Sequence, residues 1–408
     1  MEVYLVGGAV RDKLLNISNS DQDWVVVGST PEQLIKKKYL QVGKDFPVFL
    51  HPHTKEEYAL ARTERKFGSG HTGFVTYFSA DVTLEEDLMR RDLTINAIAQ
   101  KKNGNYIDPF NGISDLKLGI LRHISYSFLE DPLRVLRVAR FSARFSNLGF
   151  MISYDTLSLM SLISTSRELK SLTVERIWKE TEKAFQTFYP HVYFQVLYIC
   201  GALSVLFPEF MCLFNQHSFN VNKNFFFKHP ILFYLASIAQ FTSRVSIRFL
   251  FFCFLIAQQK FLFLYKIHTF YDKYITYFIK NFCMRYKVSS YLRKLCMNFS
   301  GFYVFLNFSR SQSSENIVLF LNKIDVWRKP KQFYDILIVI KFFQNSLFIK
   351  NTLFNINITT FLLKAYHIMK SVSISSIIKL GFQGKEIKYE LTKIRCLLFD
   401  RWRRINFI

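Results

Sequence analysis

The first 28 residues hold the pattern that most restricts the fold. A short apolar run, Val3-Tyr4-Leu5-Val6, ends at Gly7-Gly8, and residues 9–15 then read as a helix. Asp21-Gln22-Asp23 follows and leads into the strand-like, β-branched run Trp24-Val25-Val26-Val27, which stops at Gly28. Strand, glycine turn, helix and strand in so short a stretch require a mixed α and β unit. Pro47-Val48-Phe49-Leu50 and Tyr58-Ala59-Leu60-Ala61 read as two further strands around a turn at 51–55. Residues 66–83, with Gly68, Gly70 and Gly73, read as a mobile loop. From about residue 84 the pattern is helical, and the last two-thirds reads almost wholly α. The expected class is α+β: a head with a mixed sheet over 1–140, an all-α neck over 141–215, and a helical body and tail over 216–408.

Charge follows a similar division. Residues 1–145 carry 20 Lys and Arg against 18 Asp and Glu, while the remainder carries 34 against 13. Nearly all of the net +23 therefore lies in the C-terminal part, as do 36 of the 45 phenylalanines. A near-neutral head on a strongly basic body suits a polyanionic partner, nucleic acid before anionic membrane. Compositional drift in an AT-rich genome is the alternative source of the Phe excess, and of part of the basic one. The six cysteines, all at or after Cys200, form no C-x-x-C pair, which argues against a disulfide framework or zinc ribbon and suits a reducing cytoplasm. The start Met1-Glu2-Val3-Tyr4 lacks the basic, apolar character of a signal peptide. The longest apolar run, nine residues from Phe249 to Ala257, is far short of the about 20 that a bilayer span needs. It reads as a buried helix, and no membrane association is expected.

Four motifs in the first 145 residues carry chemistry. Gly7-Gly8-Ala9-Val10-Arg11-Asp12 lets backbone N–H groups approach a phosphate, with Arg11 as a fork for its oxygens; alone, it is more often just a turn. Asp21 and Asp23 alternate along a strand, so they share a face, where two carboxylates repel unless a cation such as Mg²⁺ lies between them. In Arg90-Arg91-Asp92-Leu93-Thr94-Ile95-Asn96-Ala97, Arg91 would reach a triphosphate while Asp92 and Asn96 bond a ribose hydroxyl. The competing reading makes Asp92 a plain helix cap. Last, Glu130-Asp131-Pro132-Leu133 starts a helix on which Arg134, Arg137, Arg140 and Arg144 fall within an arc of about 120°. No acid interrupts that arc, so it reads as an anion-facing stripe.

In this order the four motifs resemble those of the tRNA nucleotidyltransferases, the CCA-adding enzymes, in their class II bacterial form within the DNA polymerase beta superfamily. The stretches Asp23-Trp24-Val25-Val26-Val27-Gly28-Ser29-Thr30-Pro31 and Phe46-Pro47-Val48-Phe49-Leu50-His51-Pro52 resemble the gammaproteobacterial type. The likeness is dense to about residue 210, taking in Trp178-Lys179-Glu180 and Cys200-Gly201-Ala202-Leu203, and thins beyond. It implies template-free addition of C, C and A to the 3′ end of tRNA from CTP and ATP, with pyrophosphate released. Asp21 and Asp23 match the catalytic carboxylates that bind metal, Mg²⁺ here. Gly8, Arg11, Arg91, Arg137 and Arg140 match nucleotide-binding positions, and Asp131 with Arg134 matches the pair that reads the incoming base. The resemblance further implies a cytoplasmic protein with tRNA, ATP and CTP as partners, acting as a monomer or a weak homodimer.

The chain departs from that pattern after residue 210. Relatives of this type carry a phosphohydrolase domain with a metal-binding His-Asp pair, where this chain has Phe254-Leu255 within Arg248-Phe249-Leu250-Phe251-Phe252-Cys253-Phe254-Leu255. Neither side chain can ligate a metal, and His229 alone cannot make a site, so phosphohydrolase activity is expected to be absent. Two other functions fit the motifs less well. A bacterial poly(A) polymerase would share the head but add AMP alone, and an inert tRNA-binding protein would have no use for Asp21 and Asp23.

Overall fold

A computed structural model of the protein describes residues 1–18, 22–42, 48–66, 74–214, 230–264, 271–307, 309–345 and 358–406. They gather into two compact units, Met1–Lys228 and His229–Ile408.

The first unit is built on a seven-stranded mixed sheet. Strands β1 (Glu2–Val6) and β2 (Asp23–Val27) pair antiparallel, with Leu5 opposite Trp24. Outward from β2 lie β5 (Glu57–Leu60), parallel to it, then β4 (Val48–Leu50) and β3 (Leu40–Val42). Outward from β1 lie β8 (Ala99–Lys101) and β9 (Tyr106–Ile107). Alternation along the central strands supplies both faces. Tyr4, Val6 and Val25 pack with Leu88, Ala97 and Ala99 on one side, while Val26 packs with Leu34, Phe49, Tyr58 and Leu60 on the other. Helices α1 (Gly8–Leu14), α2 (Pro31–Lys36), α3 (Leu84–Met89) and α4 (Gly112–Leu118) belong to the same part.

Two expectations are corrected here. The stretch expected as a loop over 66–83 holds a strand, β7 (Phe74–Tyr77), paired antiparallel with β6 (Thr63–Lys66). Phe-Val-Thr-Tyr is aromatic and β-branched, and cross-strand pairing prevails over the glycines before it; those glycines, in 67–73, lie outside the described residues. Nor is the chain purely helical after residue 84, since β8 and β9 add to the free edge of β1. Strands of two or three residues are too short to declare a period in the sequence. A parallel two-stranded pair, β10 (Ile120–Leu121) with β11 (Met151–Ile152), is the last strand structure among the described residues.

Helices α5 (Leu133–Phe145), α6 (Tyr154–Thr165), α7 (Val174–Gln186), α8 (Pro190–Ile199) and α9 (Ala202–Leu206) complete the described part of the first unit. On α5, Val135, Leu136, Val138 and Ala139 are wholly buried, which leaves its arginine face for other work.

In the second unit the described residues are all helical: α10 (Pro230–Phe241), α11 (Val245–Leu264), α12 (Tyr271–Arg285), α13 (Ser290–Gly301), α14 (Tyr303–Asn307), α15 (Ser314–Lys323), α16 (Lys331–Asn345), α17 (Ile358–Lys370), α18 (Ile374–Lys379) and α19 (Lys385–Asn406), with short 3-10 turns and loops between. The apolar run from Phe249 to Ala257 lies mid-way in α11 and is buried on every side. Phe254 meets the rings of Phe299 and Tyr303 at centroid distances of 5.0 and 4.6 Å, and Leu255 is also buried. His229 lies outside the described residues. Among the described residues no group of three His, Cys, Asp or Glu could hold a metal, and no helix is long and apolar enough to cross a membrane.

Candidate active site

Antiparallel pairing brings the turn after β1 beside the start of β2, so Gly7-Gly8 and Asp23 meet at one end of the sheet. Gly7 holds φ 68° and ψ −126°, a conformation that favours glycine, and a Cβ there would lie 2.7 Å from Nη1 of Arg91. The bare backbone thus lets Arg91 lie across the turn. Gly8 opens α1 with no such constraint.

Around this turn lies a cleft of about 720 Å³, lined from Gly7, α1, β2, β6, the Arg90–Asn96 segment, Asp131, α5 and α7. Gly8, Arg11, Asp23, Arg91, Asp92, Asn96, Asp131, Arg134, Arg137 and Arg140 all line it. Asp21 lies outside the described residues. Among the described residues, nine cationic side chains and five acidic ones face the cleft.

The arginines of α5 are held by acids from distant parts of the chain, so the stripe is not the bare cationic surface its arc suggested. Arg137 Nε donates to Asp92 Oδ2 at 2.7 Å, Arg140 Nε to Glu180 Oε2 at 2.6 Å, and Arg144 Nη2 to Asp12 Oδ2 at 2.9 Å. Arg134 instead donates through both terminal nitrogens to backbone carbonyls, Nη1 to Ser127 at 2.8 Å and Nη2 to Arg90. Rings of Phe141 and Phe145 lie beneath several of these guanidiniums, with Arg140 4.2 Å from the Phe141 centroid.

Asp92 caps no α-helix, which corrects that reading. Residues Thr94–Asn96 form only a 3-10 turn, and Asp92 Oδ1 accepts from Leu93 N at 2.9 Å and from Asn96 Nδ2 at 2.8 Å. Asp92 and Asn96 are thus bonded to each other directly. Burial alone would push the Asp92 carboxyl up, but the Arg137 charge and the Asn96 amide hold it well below the usual carboxylate range. The Asp92 charge in turn raises Arg137. Burial lowers Arg11 and Arg134, with Asp12 and Asp92 respectively opposing.

Asp131 precedes the first residue of α5. Its Oδ1 accepts from Leu133 N at 3.0 Å, as a helix brace would, and its Oδ2 from Arg176 Nη2 at 3.1 Å. Asp131 and Arg134 share the cleft, joined by a backbone bond from Arg134 N to the Asp131 carbonyl at 3.0 Å but with no bond between their side chains. Four of the five acids in the cleft are thereby paired: Asp12, Asp92, Asp131, and Glu64, which meets Arg90 at 3.1 Å. Asp23, at the start of β2, is exposed, and its side chain bonds no other described residue.

The sequence reading did not single out Asp12, Glu64, Arg90, Arg176 or Lys183 as cleft residues, and it placed Arg144 only on the stripe. Asp12 is adjacent to Arg11 in the motif, a signal that could have been used. Arg176 and Lys183 lie in Glu175-Arg176-Ile177-Trp178-Lys179-Glu180-Thr181-Glu182-Lys183, whose mixed charges look like an ordinary solvated helix face.

Residues 3–122 match the family described as the poly A polymerase head domain, and residues 149–213 that described as a probable RNA and SrmB-binding site of polymerase A. A CCA-adding enzyme of Buchnera aphidicola subsp. Acyrthosiphon pisum (strain Tuc7) is 50% identical over 414 residues, covering 100% of this chain and 98% of the relative. That of Buchnera aphidicola subsp. Baizongia pistaciae (strain Bp) is 47% identical over 412 residues, covering 99% and 98%. Among solved structures, the Bacillus stearothermophilus CCA-adding enzyme in complex with CTP is similar, with a TM-score of 0.66 at 21% identity over 98% of this chain and 88% of the other. A CCA-adding enzyme complex with ATP gives a TM-score of 0.60 at 22% identity over 98% and 86%.

Proposed function

Because the chain belongs to the CCA-adding enzymes, and adds C, C and A to the 3′ end of tRNA from CTP and ATP with release of pyrophosphate, we propose that the cleft of the first unit uses both nucleotides in turn. One observation carries this reading: paired arginines surround a single acid, Asp23, that no described residue pairs. Such a cleft suits a polyphosphate that arrives together with a cation.

Asp23, with Asp21, is proposed to hold Mg²⁺. A carboxylate that no described side chain pairs, in a cleft with nine described cations, fits a hard, oxygen-seeking ion. When bound, such an ion lowers the pKa of the attacking 3′-hydroxyl and draws charge off the triphosphate. Arg11, Arg91, Arg137 and Arg140 orient the triphosphate beside Gly8, and their acid partners fix them in advance, so little reorganisation is needed on binding. Asp92 and Asn96, already bonded to each other, face the ribose.

Asp131 and Arg134 are proposed to read the base. A guanidinium has five N–H donors, and Arg134 commits two of them to carbonyls. Cytosine and adenine both present an amino donor beside a ring acceptor, which a carboxylate and a guanidinium can satisfy together. Uracil and guanine present a carbonyl in place of the amino group. A carbonyl against Asp131 leaves facing acceptors, at roughly 1–3 kcal/mol.

The division of labour proposed along the chain is a head over 1–140, a neck over 141–215 that adds selection and tRNA contact, and a body and tail over 216–408 that grips tRNA by shape and phosphates. The protein is proposed to work on cytoplasmic tRNA as a monomer or a weak homodimer.

Unfinished tRNA incubated with CTP alone should gain two C residues, and with CTP and ATP the full C, C, A. A poly(A) polymerase leaves the CTP-only sample unextended, and an inert tRNA-binding protein leaves both so. Asp23→Asn should lose CMP and AMP incorporation together while tRNA affinity is kept; normal turnover in that variant overturns the metal assignment.

A further inference from the structure

We propose that Asp12 is a positioning residue for the triphosphate: its buried carboxylate locks Arg11 to Arg144 and so fixes helices α1 and α5 at the phosphate end of the cleft. The inference rests on the reading of the cleft arginines given above.

Asp12 is wholly buried yet lines the cleft. Its Oδ1 accepts from Arg11 Nε at 2.9 Å and Nη2 at 2.7 Å, and its Oδ2 from Arg144 Nη2 at 2.9 Å. Arg11 is itself only 3% exposed, with its guanidinium 5.1 and 5.2 Å from the ring centroids of Phe141 and Phe145. Its Nη1 donates to Asn96 Oδ1, the Asn96 amide donates to Asp92 Oδ1, and Asp92 Oδ2 takes Arg137. The network therefore starts and ends on α5, at Arg144 and Arg137, seven residues or about 10.5 Å apart along the axis. Helix α5 is tied to α1 and the Asp92–Asn96 segment at two points two turns apart.

A tie needed for stability alone would be served as well by apolar side chains, because buried ion pairs rarely exceed them. Here every member of the network lines the cleft, and both ends are guanidiniums facing it. The base-reading pair has other supports: Arg176 and the Leu133 amide for Asp131, and two backbone carbonyls for Arg134. Asp12 thus acts on the phosphate end, which CTP and ATP have in common, and not on the end where they differ.

That separation sets the test in the full-length protein. Asp12→Asn keeps the shape and one acceptor oxygen, and Arg144→Gln removes the other half of the lock. Each should raise KM for CTP and for ATP by the same factor, about tenfold for one charge-assisted hydrogen bond. We expect kcat to stay within about twofold, and KM for tRNA and the rejection of UTP to stay unchanged. The double variant should be no worse than the worse single one, because both act through one contact. Unequal factors for CTP and ATP, a rise in KM for tRNA instead, or additive losses overturn the inference. If Asp12→Asn does not fold, Arg144→Gln decides the matter alone, since that side chain is 34% exposed. Arg137→Met is the control. If it leaves nucleotide KM unchanged, the reading of the cleft fails; if only it raises KM, the reading stands and the role of Asp12 falls.

Discussion

Replacing Arg137 by Met should make stability depend on pH in a way the parent's does not. The Asp92 side chain is 5% exposed, and burial, the largest single influence on it, favours the neutral acid. Arg137, through its charge and its hydrogen bond, together with Asn96 and Arg134, overcomes that in the parent. The folded-state pKa then lies below the unfolded value of about 3.9. Asp92 therefore contributes stability that is fully present above about pH 4 and lost only as pH falls toward the folded value. In the variant two of the opposing influences are gone, the carboxyl moves up, and holding it charged at neutral pH becomes a cost that protonation relieves. Breaking a fully buried pair costs about 3–5 kcal/mol. The Arg137 side chain is 35% exposed, so solvent screening reduces this to roughly 2–3 kcal/mol. For a unit of this size that lowers the melting temperature by on the order of 4–12 °C. Melts of parent and variant at about pH 7.5 and about pH 4.5 measure the gap at each. We expect it to shrink by half or more at the lower pH. An equal gap at both would refute the claim that Asp92 is left uncompensated.

Asp131→Ala should slow CTP and ATP use and raise UTP incorporation about tenfold to a hundredfold, as the roughly 1–3 kcal/mol mismatch penalty implies; a slow variant that still rejects UTP as sharply makes Asp131 only the brace of α5. Affinity for tRNA should fall steeply between about 50 and 200 mM salt, because a body this basic binds by releasing counterions, and a flat salt dependence would sink that account. Purified protein should not hydrolyse 2′,3′-cyclic nucleotides with Ni²⁺ or Mg²⁺, since the apolar packing around Phe254 offers a hydrated cation no ligand; robust metal-stimulated hydrolysis would show that ligands lie elsewhere.

The parts of the head legible in the sequence were those set by local chemistry. β1, α1 and β2 follow from an apolar run, two glycines and a β-branched run, and their pairing brings Gly7 to Asp23. The α5 stripe follows from spacing alone. What spacing could not supply is which acid meets which arginine: Asp12 is 132 residues from Arg144, Asp92 is 45 from Arg137, and Glu180 is 40 from Arg140. Those pairs form only once the sheet has set α1 and the Asp92 turn against α5. The need for glycine at position 7 was legible as a turn and follows from its φ of 68°, whereas the Arg91 guanidinium that crosses it is a long-range contact that spacing could not show. In the second unit the apolar run of α11 read as a buried helix, and its nine residues are buried in the middle of one.

The way each arginine is gripped supports different tasks for residues that look alike in sequence. Arg137 and Arg140 are both held through Nε, by Asp92 and Glu180. That leaves their terminal nitrogens, the pair of donors that matches two phosphate oxygens, for a ligand. Arg134, one turn earlier on the same helix, is held the opposite way, with one hydrogen on each terminal nitrogen committed to a carbonyl. It cannot offer those two hydrogens as a free fork, but it stays fixed as a single-edge donor, which is what reading a ring nitrogen asks. On the proposed reading, a guanidinium oriented by two backbone carbonyls would keep its place when cytosine gives way to adenine. On that same reading, with Arg134 held by carbonyls and Asp131 by Leu133 N and Arg176, the change from cytosine to adenine would be met by movement of the base against both.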